Sequence, residues 1–297
     1  MDNLELHREP PTNLDTLIVG LGGWIDAGEA ATSSIRNMIR RLPAVRLASI
    51  DPEDFFDFTQ SRPTSRITAE GARKIKWPTS EFFGWQRPEQ NTGILLFRGM
   101  EPNLKWKTYA NLILDLAEKC GVKRIISLGA LLASMPHTRT PRVTGSSTDP
   151  EWQAALEDWG ILRRPNYQGP TGFATALFDA ATKRGIPYMT LMGQAPHYIQ
   201  AANNPAVTRA LLGYVVQLLN IELDFTRLDE AVSTFNARCD QIVANEDSMK
   251  SYVTQLEVEY DSGFTEDSQP IDETLNSEDL VQELEDFLKS EREPGDS

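Results

Sequence analysis

The stretch Leu17-Ile-Val-Gly-Leu-Gly-Gly-Trp-Ile-Asp-Ala-Gly28 decides the fold. Leu17 to Val19 is a branched apolar run, too short for a helix and suited to a buried strand. Gly20, Gly22 and Gly23 follow, where the lack of a Cβ lets the chain turn sharply or approach a neighbour closely. Asp26 stands at the N-cap of a helix whose apolar side is Ala31, Ile35, Met38, Ile39 and Leu42. Strand, glycine turn and capped helix form the first half of a βαβ crossover. Such units build a parallel or mixed sheet covered by helices. Phosphates also bind at helix N-termini after glycines. Here the spacing is G-x-G-G, no Gly-Lys-Ser/Thr follows, and Trp24 and Asp26 crowd or repel a polyphosphate. The reading is therefore a tight turn that ends a central strand.

The same alternation continues. Ala44 to Ile50, Gly93 to Phe97, Val122 to Leu128 and Pro187 to Met192 read as strands. Val143 to Ser147 reads as a short strand. Helices are expected from Trp106 to a stop at Gly121, from Asp149-Pro150, from Gly172 to Gly185, and from Asn204-Pro205. Between Asp51 and about Trp85 the pattern suggests a hairpin or small excursion from the main sheet. The expected division is an α/β body over 1–225, a helical extension over 226–260, and an acidic linker with a short amphipathic helix over 261–297. The stripe Leu228, Ala231, Phe235, Cys239, Ile242, Val253, Leu256 is near heptad spacing, which fits an antiparallel helix pair or a subunit contact.

Of the 297 residues, 40% are hydrophobic, so a sizeable core can be buried. The net charge of -14 is uneven. Residues 240–297 hold 18 acids against 3 bases, and residues 1–239 hold 25 against 26. A neutral body with an acidic tail argues against nucleic acid and anionic membrane as partners. Residues 1–15 are charged, contain proline and lack the apolar stretch of a signal peptide. Cys120 and Cys239, far apart on predicted helices, are expected to be reduced thiols in a cytoplasmic protein.

The strands end in polar or proline-rich clusters, and ligands of open α/β sheets bind outside the carboxyl ends of the strands. The candidate crevice there comprises Trp24, Asp26, Glu101, Asn103, His137, Arg139, His197 and Tyr198. Its histidines lie in Pro-His turns, which also occur as plain rigid loops with the imidazole bonded to a carbonyl. No third ligand at metal-site spacing accompanies them, and no G-x-S-x-G elbow positions Ser127 or Ser134 for a triad. Gly169-Pro-Thr-Gly172 opens a helix and is a second candidate anion site. Trp24, Trp77, Trp85 and Trp106 fit either a stacking platform or ordinary burial.

Gly23-Trp-Ile-Asp-Ala-Gly28, Phe56-Asp57 with Arg62-Pro63, Trp77-Pro78, Gly99-Met-Glu-Pro-Asn103, Pro136-His-Thr-Arg139, Tyr167-Gln-Gly-Pro-Thr-Gly172 and Pro196-His-Tyr198 together resemble the proteasome assembly chaperone 2 family, in its actinobacterial branch. The resemblance covers roughly Leu14 to Ala231. It implies a three-layer α/β/α fold of the phosphorylase/peptidase-like type and self-association, with trimers favoured. Eukaryotic relatives chaperone assembly of proteasome α-rings. Some archaeal relatives carry a C-terminal hydrophobic-Tyr-X docking motif, and this sequence ends Glu-Pro-Gly-Asp-Ser297 instead. The resemblance supplies no catalytic residues, and no cofactor or metal is called for. The expected function is a non-enzymatic, cytosolic, oligomeric protein with a chaperone-like or scaffolding role and a proteasome-related client. The alternative is a small-ligand binder or enzyme using the crevice around His137 and His197.

Overall fold

The computed structural model describes residues 3–88, 90–164, 167–199 and 203–262. The opening stretch forms β2 (Leu14–Gly22), at the heart of an eight-stranded sheet. A short strand, β1 (Leu4–Leu6), precedes it. The other sheet strands are β3 (Val45–Ile50), β6 (Glu81–Gln86), β7 (Gly93–Met100), β8 (Arg124–Ala133), β9 (Val143–Ser147) and β10 (Tyr188–Pro196). Their spatial order is β1-β3-β6-β7-β2-β8-β10-β9. The run β7-β2-β8-β10 is parallel, and antiparallel strands flank it on both sides, so the sheet is mixed.

Period-2 alternation in β2 sends Leu17, Val19 and Leu21 to one face and Ile18 to the other. The first face packs on α2 (Trp106–Lys119) and α4 (Phe173–Lys183), around the aromatic cluster of Phe55, Phe97, Tyr109 and Phe173. The second packs on α1 (Ala30–Arg41), α3 (Pro150–Asp158) and α5 (Pro205–Leu219). The architecture is thus the expected three-layer α/β/α. A Cβ on Gly20 would come within 2.6 Å of the Ala31 carbonyl, so glycine lets α1 lie directly on β2. Two of the expected N-caps are in place, while α1 begins at Ala30 rather than directly after Asp26. Asp149 accepts from the Glu151 and Trp152 N–H groups, and Asn204 from those of Ala206 and Val207.

Two features differ from the sequence reading. Residues Thr64–Ile67 (β4) and Arg73–Lys76 (β5) do form a separate two-stranded hairpin. The excursion ends there, because β6 returns to the main sheet between β3 and β7. Phe82 and Trp85 are buried in that return, and Gly84 is kept small by Leu47 and Leu14. The expected helix over 226–260 is broken at Asn245–Glu246. It becomes α6 (Thr226–Ala244) and α7 (Asp247–Asp261), which pack on each other. Of the linker and short helix expected over 261–297, Asp261 belongs to α7, and everything from 263 onward lies outside the described residues.

Candidate functional site

Because β7, β2, β8 and β10 are parallel, their carboxyl ends share one end of the sheet. The structure distributes the eight candidate side chains there among separate networks rather than around one crevice.

The first network joins Trp24, Glu101 and the start of α4. Glu101 follows β7, and its N–H donates to the Gly22 carbonyl at 2.7 Å. Its carboxylate accepts the Trp24 N–H at 3.2 Å and the Phe173 N–H. The helix start after Gly169–Gly172 therefore already holds an anion, which is the protein's own Glu101. Gly23 has φ +145, and a Cβ there would meet Glu101 at 2.8 Å, so the third glycine of the turn is needed for this contact. The Trp24 indole stands outside it, 60% exposed.

Asp26 faces α1. It accepts the Ala31 N–H at 2.7 Å and the Thr32 N–H at 3.3 Å, and its second oxygen takes the Thr32 hydroxyl at 2.6 Å. It caps α1 from across the 3-10 turn Ala27–Glu29. Burial pushes its carboxyl up to about 6, against the pull of these hydrogen bonds. Asn103 lies in another place. It accepts from the Asp57 N–H and the Ser61 hydroxyl, both at 3.0 Å, and so ties down the Phe55–Ser61 loop.

The last network contains His137, Arg139, His197 and Tyr198, and it is completed by α6 and α7. The side chain of His137 is only 1% exposed. Its Nε2 lies 3.1 Å from Asp240, a pure acceptor when ionised, so Nε2 carries the proton. Its Nδ1 then accepts the Tyr198 hydroxyl at 2.7 Å, and the same hydroxyl accepts the His137 backbone N–H at 2.8 Å. His197 uses the opposite tautomer. Its Nδ1 donates to the Ala133 carbonyl and its Nε2 accepts the Tyr252 hydroxyl, both at 3.1 Å. Arg139 grips Asp261 through two bonds of 2.9 and 2.7 Å, and reaches Glu257 at 3.2 Å. Arg142 stacks 4.2 Å from the Tyr260 ring, whose hydroxyl donates to the Thr140 carbonyl at 2.8 Å.

All four imidazole nitrogens therefore have protein partners. Burial pushes the Tyr198 phenol up, so it remains a hydroxyl donor. Cys239, beside this network, and Cys120, at the C-terminal end of α2, are buried free thiols pushed up to about 11, the opposite of an activated nucleophile. Ser127 is buried within β8. The four tryptophans do not form a platform. Trp85 is buried, Trp77 packs on Phe58, Trp106 bonds the Pro102 carbonyl, and Trp24 stands apart in solvent. A cleft of about 460 Å³ opens elsewhere, at the amino ends of the strands, between Arg87, Lys123 and Trp152.

Sequence reasoning missed Asp240, Tyr252, Glu257 and Asp261. They lie on the polar flank of helices singled out for their apolar stripe, about 55 to 122 residues from their partners. No local pattern marks such contacts.

Comparison with known proteins agrees with this architecture. A PAC2 family protein from Streptomyces avermitilis is 32% identical, with a TM-score of 0.72, over 80% of this chain and 99% of that one. A proteasome-assembly chaperone homologue from Mycobacterium tuberculosis is 30% identical, with a TM-score of 0.71, over the same shares of the two chains. An uncharacterised protein from Methanocaldococcus jannaschii is 29% identical over 108 residues, and the match spans 36% of this chain and 41% of that curated relative. The sequence profile of the PAC2 family matches residues 20–243, most of the chain. This chain belongs to the PAC2 family, whose members are related to proteasome assembly chaperones.

Proposed function

We propose that this protein acts by binding other proteins, as an oligomeric, chaperone-like or scaffolding factor of the cytoplasm, and that it is not an enzyme. The observation that carries the reading is a contrast at the strand-end face. Its titratable candidates are satisfied internally, with both imidazoles and Glu101 fully partnered. Its apolar side chains are not. Trp24, Met100, Leu104, Leu131 and Leu132 stand in solvent on the loops and strand tips of that end. Exposed apolar side chains grouped in this way fit protein contact better than small-molecule chemistry.

Family membership and the likeness to a proteasome-assembly chaperone homologue support a proteasome-related client. A trimer is the favoured assembly, and the near-neutral body and acidic tail give no reason to expect nucleic acid or membrane as a partner.

The test uses the full chain. Sedimentation is expected to give the mass of three copies. Immobilised protein exposed to an extract of its native cells is expected to recover proteasome subunits. The exposed pair Leu131→Asp and Leu132→Asp should abolish that recovery with the thermal midpoint nearly unchanged. A single-chain species that recovers no proteasome subunit overturns the reading.

A further inference from the structure

The β4–β5 hairpin has no role in the site described above. Every residue of both strands is exposed. An isolated two-stranded hairpin is marginal in water, so a covering partner would stabilise it. Its register makes the two faces unlike. Arg66 lies opposite Lys74, and Thr64 opposite Lys76, so one face gathers three cations with no acid. Like charges directly opposite each other destabilise a strand pair. The other face carries Ile67 and Ile75, 69% and 57% exposed, with Arg73 opposite Ile67 and Ser65 opposite Ile75, and leads to Trp77. Residues 62–77 hold five bases and one acid, Glu70 in the turn. No base of the arm forms an ion pair among the described residues. The arm therefore has one purely basic face and one that combines two exposed isoleucines with an arginine.

The chain also supplies the complement. Residues 277–290 carry five acids and one lysine, with Leu280, Leu284, Phe287 and Leu288 at helical spacing. This segment lies outside the described residues, and its pattern is a property of the sequence. The 15 residues between α7 and position 277 can span about 50 Å when extended, comparable with the width of a domain of this size. We infer that the β4–β5 arm is the docking element for the acidic amphipathic segment 277–290 of the chain's own tail. Ile67 and Ile75 meet the leucine–phenylalanine stripe, Arg73 on that same face meets its acids, and the long Lys74 and Lys76 side chains reach the flanking acids around the edge of the two-stranded arm. The contact covers an apolar face that otherwise stays in water, and it relieves the Arg66–Lys74 repulsion.

Zero-length carbodiimide coupling of the full chain, read by mass spectrometry, tests this directly. Lys74 or Lys76 should join to acids between Glu278 and Asp286. The yield should fall at least fivefold between 50 mM and 500 mM salt, as screening of exposed charges requires. Coupling within one copy and coupling between two copies both support the inference. In the full chain with Lys74→Glu and Lys76→Glu, hydrogen exchange over 277–290 should accelerate severalfold while exchange in the sheet stays the same. Coupling of these lysines only to acids before residue 263, or salt-insensitive exchange over 277–290 in the parent chain, would overturn it. The parent-chain measurements stand even if the charge-reversed variant fails to fold.

Discussion

Asp26 experiences two opposed effects. Three hydrogen bonds favour its ionised form, and burial disfavours it more strongly, leaving the carboxyl near 6 rather than 3.8. A carboxyl raised on folding contributes stability that is fully present below its unfolded value and is lost as pH rises through the folded one. Asp26 should thus make the protein less stable between about pH 4 and pH 6, by on the order of 3 kcal/mol. Asp26→Asn keeps an acceptor for the helix N–H groups and removes the charge. Urea unfolding of parent and variant across pH 4–7 should show their stability difference changing in that window alone, and a pH-independent difference would count against the account. The histidines make a second case. His137→Ala strands the Tyr198 hydroxyl and the inner end of the network, so it should cost about 1–3 kcal/mol. His197→Ala, which frees the Ala133 carbonyl and Tyr252, should fall in the same range. Thermal unfolding of the two variants decides this, and midpoints equal to the parent would return both rings to the list of functional candidates.

At the scale of elements, α6 and α7 act as a clasp over the loop from Ala133 to Arg142. Beside their buried apolar residues they hold it through polar contacts: Asp240 to His137, Tyr252 to His197, Glu257 and Asp261 to Arg139, and Tyr260 to Thr140. Arg139 lies in the solvent-exposed part of this set, and its acidic neighbours hold the guanidinium well above its usual range. Exposed ion pairs add little to global stability, but a clasp held by them opens locally. Arg139→Gln should leave the global midpoint nearly unchanged while amide exchange across Asp247–Asp261 accelerates severalfold. Exchange in α7 as slow as in the parent would mean that its apolar contacts, Val253 and Leu256, hold it without the arginine.

For the whole molecule, the two cores on either side of the sheet are covered by α2 and α4 and by α1, α3 and α5, all of which end by Leu219. Deleting everything after residue 262 should therefore leave the thermal midpoint of the body within a few degrees of the parent, as scanning calorimetry would read. A fall of many degrees would place the tail's apolar stripe on the core rather than on the exposed arm.

The sequence by itself determined the layered α/β/α class, the parallel centre, and each helix start with a local cap. These features rest on interactions a few residues apart or on repeating polarity. Leu17–Val19, Asp149-Pro150 and Asn204-Pro205 declare themselves without the rest of the chain. Position in the sheet is different. Glu81–Gln86 has an uneven local pattern, and only its neighbours β3 and β7 make it a central strand. The candidate site was legible as a set of strand-end residues and not as an arrangement. Glu101 meets Phe173 across 72 residues, and His137 meets Asp240 across 103. Sequence shows that a carboxylate or an imidazole is present at a strand end. Only the tertiary structure decides whether it faces a ligand or, as here, is met by a helix N-terminus or a phenol of the same chain, because hydrogen-bond partners are chosen by proximity in space.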